Sequence, residues 1–135
     1  MRSFVALTAG ALVAASTLTM PAARADMMNT VPSSSLTVTD WYKQDVYDQS
    51  NPKIGQVADV LVSQDGQINA LIIGVGGFLG AGEKDVAASF NTVKATKKDN
   101  KIYLTMNTTK DALKAAPAFK YDRDKTVWVP DTNPK

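Results

Sequence analysis

The segment from Ile54 to Phe90 constrains this chain more than any other. Gly55 to Val62 alternates as a strand does, with Val57, Asp59 and Leu61 on one face and Ala58, Val60 and Val62 on the other. Ser63-Gln64-Asp65-Gly66 follows as a hairpin turn, because Gly66 tolerates the positive φ such turns need. Ile68 to Val75 is then apolar on both faces: Ile68, Ala70 and Ile72 against Leu71, Ile73 and Val75. Such a run is a central strand or a buried helix, and its β-branched content and flanking glycines favour strand. A glycine-rich loop, Gly74 to Gly82, leads into a further strand from Lys84 to Phe90, which Val93-Lys94-Ala95 extends.

The flanks supply more short elements. Asp45-Val46-Tyr47-Asp48 reads as a strand, and Gln49 to Lys53, with its Ser-Asn-Pro, as a turn. Ile102, Leu104 and Met106 face inward and Tyr103 and Thr105 outward along a last strand. The period then becomes helical: Thr108 or Thr109 caps a helix from Lys110 to Ala116, which Pro117 ends. Thr39 or Asp40 caps a short helical turn through Gln44, with Trp41 and Tyr42 packing back. Short strands with turns every eight to twelve residues or so indicate a small barrel or sandwich, and a barrel removes exposed strand edges.

The N-terminus reads as an export signal. Arg2 precedes an uncharged core from Phe4 to Leu18, and Ala23-Arg24-Ala25 forms a small-residue cleavage site. The core is too short for a comfortable bilayer span, although an uncleaved anchor is the competing reading. Cleavage after Ala25 places the chain in the periplasm with no membrane span. It also takes the 15 basic residues to 13, by loss of Arg2 and Arg24, against 13 acidic ones. A neutral chain lacks the basic field that nucleic-acid binding requires. The four lysines from Lys94 to Lys101, interrupted by Asp99, read as a solvated turn.

The chain has no Cys and no His. It therefore lacks disulfides, the usual zinc ligands and the commonest general base, and about 110 residues must fold by burial alone. Gly74 and Gly76 begin a dinucleotide fingerprint, but Leu79 stands at its third glycine. Gly77 and Gly82 have P-loop spacing, but Glu83 follows where a lysine would neutralise phosphate. Ser63 and Ser89 lie in no nucleophile motif, Asp59 and Asp65 are ordinary strand and turn residues, and Asp122 to Thr126 lacks the glycine and glutamate of a calcium loop. No catalytic, cofactor-binding or metal-binding residue is expected. Large apolar residues between glycines, Phe78 and Leu79, either tuck under the barrel or anchor a partner; the same choice holds for Trp41 and Tyr42.

The run Ile54-Gly55-Gln56-Val57-Ala58-Asp59-Val60-Leu61-Val62, with Asp65-Gly66, the apolar strand to Val75 and Asp85-Val86-Ala87, resembles the PRC-barrel domain family. The ending from Thr109 to Phe119 is similar to that of its exported bacterial members. The resemblance, from Trp41 to Tyr121, implies a small, mainly β barrel with one short C-terminal α-helix that acts in docking or assembly without catalysis. The expected organisation is a signal peptide at 1–25, a flexible leader at 26–40, the PRC-barrel domain at 41–120 and a polar tail at 121–135. The expected role is a non-catalytic periplasmic interaction module, docked on another envelope protein or the periplasmic face of a membrane complex. The alternative is a barrel that binds a small apolar ligand in an internal cavity.

Overall fold

The computed structural model describes residues 9–16, 18–22, 25–76 and 82–133. The chain divides into two units, Met1–Ser33 and Ser34–Lys135. The described residues of the first form no helix or strand. No helix among the described residues is long and apolar enough to cross a membrane. Cleavage at Ala23-Arg24-Ala25 falls partly outside the described residues, which omit 23 and 24.

The second unit holds every buried residue described. It begins with helix α1, Val38–Trp41, whose cap is Thr37 rather than Thr39 or Asp40. The Thr37 hydroxyl accepts the Asp40 N–H at 3.0 Å and the Asp40 carboxylate accepts the Thr37 N–H at 3.1 Å. This reciprocal box satisfies two orphan donors and makes Asp40 the third helical residue. The strands are β1 (Asp45–Asp48), β2 (Lys53–Val62), β3 (Ile68–Val75), β4 (Lys84–Ser89), β5 (Val93–Lys98) and β6 (Lys101–Met106). Helix α2, Lys110–Ala115, follows with Thr109 as its cap, then β7 (Phe119–Asp122) and β8 (Val127–Pro130).

The strands form one sheet in the order β5-β6-β1-β2-β3-β4-β7-β8, parallel only between β1 and β6. β4 and β5 lie at opposite ends of the first six strands, yet a 3-10 turn of three residues, Phe90–Thr92, joins them. That short link forces the six strands to curl into a barrel. One cluster accordingly unites Val46, Val57, Leu71, Ile73, Val86, Val93 and Leu104, from β1 to β6. Trp41 and Phe90 pack together in it, their ring centroids 4.7 Å apart, and buried Leu113 of α2 joins the same cluster, with α2 set against β2 and β3. Side chains fill the interior.

Two turns explain their residues. Gly66, at φ 82°, takes the left-handed position of the β2–β3 hairpin. Asp99 and Asn100, at φ 50° and 59°, make the two-residue β5–β6 turn whose twist matches the strands. Gly55 answers a close approach instead. A Cβ there would meet Ile73 Cγ2 at 2.6 Å and the Gly74 carbonyl oxygen at 2.9 Å.

Three differences from the sequence reading have physical causes. A bulge between Val57 and Asp59 inserts Ala58, so Val57 and Val60 both reach the core while Asp59 turns outward. Val93 does not extend the preceding strand, because the 3-10 turn redirects the chain to the far side of the barrel. Residues beyond 120 are not a tail: β7 and β8 pair as a hairpin, attached to the barrel where Phe119 pairs with Asp85.

Candidate interaction surface

The β7–β8 hairpin reaches the outward face of the sheet beside β3. Ile72 is wholly buried, yet it is not part of the barrel-core cluster. Its register partners are Asp59 on β2 and Ala87 on β4, which share its outward face. The Trp128 indole Nε1–H donates to Asp59 Oδ2 at 2.7 Å, and the Val60 N–H donates to Oδ1 at 2.8 Å. Trp128 packs edge-on against Tyr121, with centroids 5.7 Å apart. The hairpin thus reaches the outer face of β2 at Asp59, the register neighbour of Ile72, and the only apolar triplet of the expected tail supplies its contact.

Around this contact the surface remains apolar and open. Val38 is 51% exposed and Tyr42 46% exposed. With Thr39, Asp59 and Val60 they line a cleft of about 250 Å³ between α1 and β2. Asp59 belongs both to the cleft and to the Trp128 contact, so the surface runs on to Tyr121, itself 45% exposed. Lys43 Nζ stands 5.3 Å from the Tyr42 ring centroid and leaves much of the ring in solvent.

Trp41 and Tyr42, adjacent in sequence, therefore part company. Trp41 is 6% exposed and belongs to the core; Tyr42 belongs to the surface. Phe78 and Leu79 lie outside the described residues. A cleft of about 460 Å³ is lined by Lys53, Gly74, Gly76, Glu83 and Lys110 among others. Its charges offset one another: Lys53 pairs with Asp45 at 2.7 Å, and the Glu83 carboxylate lies over Gly74.

Asp59 and Asp65 are each engaged in separate local contacts. Asp59 accepts from Trp128 and Val60, while Asp65 accepts the Ser63 hydroxyl in the β2–β3 turn, which lowers its pKa. Asp85, beside the hairpin junction, has a raised pKa, chiefly because burial disfavours its charge and secondarily because Glu83 repels it.

The end strands of the sheet are poor templates for another strand. β5 carries Lys94, Lys97 and Lys98. On β8 the Asp131 N–H bonds the Ala118 carbonyl at 2.8 Å, so alternation turns Pro130, which has no N–H, to the outer edge. The face around Tyr42 is the more available surface.

The sequence model of the PRC-barrel domain matches residues 35–113. The chain belongs to the PRC-barrel domain family. The match begins just before the α1 capping box and ends at Leu113, within α2. The β7–β8 hairpin of this PRC-barrel protein lies beyond the matched span. No curated protein matches the chain.

Neither Tyr42 nor the hairpin contact was fully legible beforehand. Trp41 and Tyr42 form one unit in sequence, and packing of Trp41 against Phe90 separates its members. The Trp128–Asp59 bond spans 69 residues of sequence and has no local signal.

Proposed function

We propose that this PRC-barrel protein is a non-catalytic docking module of the bacterial periplasm, exported by its N-terminal segment. Its partner is another envelope protein or the periplasmic face of a membrane complex. The carrying observation is the open apolar surface of Val38 and Tyr42 around the cleft at Asp59. A partner side chain seated there would bury the Tyr42 ring, and tyrosines at the centre of small interfaces commonly dominate their affinity. The filled barrel supports this reading over a ligand-binding barrel, because Val46, Val57, Leu71, Ile73 and Leu104 have no solvent exposure and occupy the space a ligand would need.

Affinity capture from envelope extract, using the exported form, tests the proposal. The expected result is a discrete protein retained by the wild type and lost with Tyr42→Ala, at unchanged melting temperature. Retention equal in both proteins would refute this surface as the contact. Intact mass of the exported form should place Asp26 first; retention of the segment before it would refute cleavage at that site.

A further inference from the structure

We infer that the outer face of the β5–β6 hairpin is a docking site for the surface of an anionic phospholipid membrane. Residues 93–106 contain four lysines and one aspartate, while the rest of the chain from Asp26 onward holds nine basic and twelve acidic residues. A formally neutral chain therefore concentrates positive charge on one hairpin.

The register shows how that charge is arranged. Val93, Leu104 and Met106 are buried, so alternation turns Lys94, Thr96 and Lys98 of β5 outward together with Lys101, Tyr103 and Thr105 of β6. Lys98 stands directly opposite Lys101, and Lys94 opposite Thr105. Like charges placed opposite each other weaken a hairpin. The ion pairs among the described residues are Lys53–Asp45 and Lys125–Asp122, and none includes a lysine of this hairpin. Protection of the β5 edge accounts for charge along that strand but not for Lys101 on β6 facing Lys98.

An anionic surface relieves this arrangement, and the neighbouring groups fit a lipid headgroup. Tyr103 is 39% exposed and lies between the Lys98–Lys101 pair and Lys94, with the Tyr47 ring centroid 6.5 Å away. Tyr47, Asn100, Lys101 and Tyr103 help line an open cleft of about 450 Å³, beside Asp45, which is engaged by Lys53. That lining offers an ammonium, an amide and two phenolic hydroxyls to a phosphodiester. Lysine stems and tyrosine rings also suit the plane where apolar chains meet charged headgroups. This site uses neither Val38 nor Tyr42, so it stands apart from the protein-docking surface.

Flotation of residues 34–135, the unit holding every buried residue described, with lipid vesicles tests the inference. The unit should float with vesicles of mixed phosphatidylglycerol and phosphatidylcholine, release as salt rises, and stay behind with phosphatidylcholine alone. Each lysine at a charged membrane surface contributes about fivefold in affinity, so Lys94→Gln, Lys98→Gln and Lys101→Gln together should lower partitioning by about a hundredfold. The triple variant should melt no lower than the wild type, since it removes a like-charge pair. Equal flotation on both vesicle types, flotation on neither, or undiminished binding by the variant would overturn the inference. Binding to polyglutamate without vesicle binding would also overturn it and assign the face to an acidic protein.

Discussion

Trp128 separates an integral hairpin from a loose tail. Trp128→Phe keeps an aromatic ring but removes the N–H that Asp59 Oδ2 accepts at 2.7 Å. A hydrogen bond to a charged group is worth about 1.5–3 kcal/mol, but this one is only part-buried. Water replaces some of it, leaving a cost of about 1 kcal/mol. Trp128→Ala also removes the ring and its edge-on contact with Tyr121, and the total should approach about 3 kcal/mol, the lower end for a large aromatic truncation. With a urea dependence of about 1.5 kcal/mol per molar, the midpoints should fall by about 0.7 M and 2 M. Far-UV circular dichroism reads both, because it does not depend on the remaining tryptophan. Ile72→Ala should cost about 2–5 kcal/mol, and the Trp128→Ala, Ile72→Ala double variant should cost less than the sum by at least about 0.5 kcal/mol. A Trp128→Ala midpoint equal to the wild type, or strict additivity with Ile72→Ala, would refute coupling between the hairpin and Ile72 through Asp59.

Two further outcomes follow from local geometry. Gly55→Ala places a methyl 2.6 Å from Ile73 Cγ2 and 2.9 Å from the Gly74 carbonyl oxygen, so it should lower stability by about 1–3 kcal/mol in the same urea assay. Asp85→Asn should raise stability at neutral pH, because burial and Glu83 make the ionised carboxylate unfavourable in the fold. The folded protein takes up the Asp85 proton before the unfolded chain does. The wild-type penalty therefore shrinks as pH falls through the raised folded pKa, and is gone below the ordinary value of 3.8. Melting temperatures of the two proteins across that range should converge in acid; an advantage for Asn that grows on acidification would contradict this.

The sequence carried the barrel because its signals are local. Ile68 to Val75 appears as β3 with the expected bounds, and Gly66 takes the positive φ its turn requires. The same strand held a clue that the sequence reading left unused. A run apolar on both faces needs cover on both sides, while the barrel interior supplies only one. On that outer face Trp128 bonds Asp59, the register neighbour of Ile72, yet its triplet Val127-Trp128-Val129 follows Asp122, Arg123, Asp124 and Lys125, whose charges suggest a solvated end. The bulge at Ala58 was equally hidden. Strict alternation placed Val57 and Asp59 on one face, and only the pairing with β3 shows the extra residue between them. At the candidate surface, composition marked Trp41-Tyr42 as a unit, but packing against Phe90 took one ring inward and left the other outside.

A photoreactive cross-linking residue at position 42, in the protein expressed in its own cell envelope, addresses the docking surface directly. Val38 and Tyr42 lie at the proposed contact, whereas Gln64 is exposed in the distant-in-sequence β2–β3 turn and serves as the control. The account predicts a discrete cross-linked protein species from position 42 and none from position 64. No adduct at position 42, or the same adduct from both positions, would contradict it.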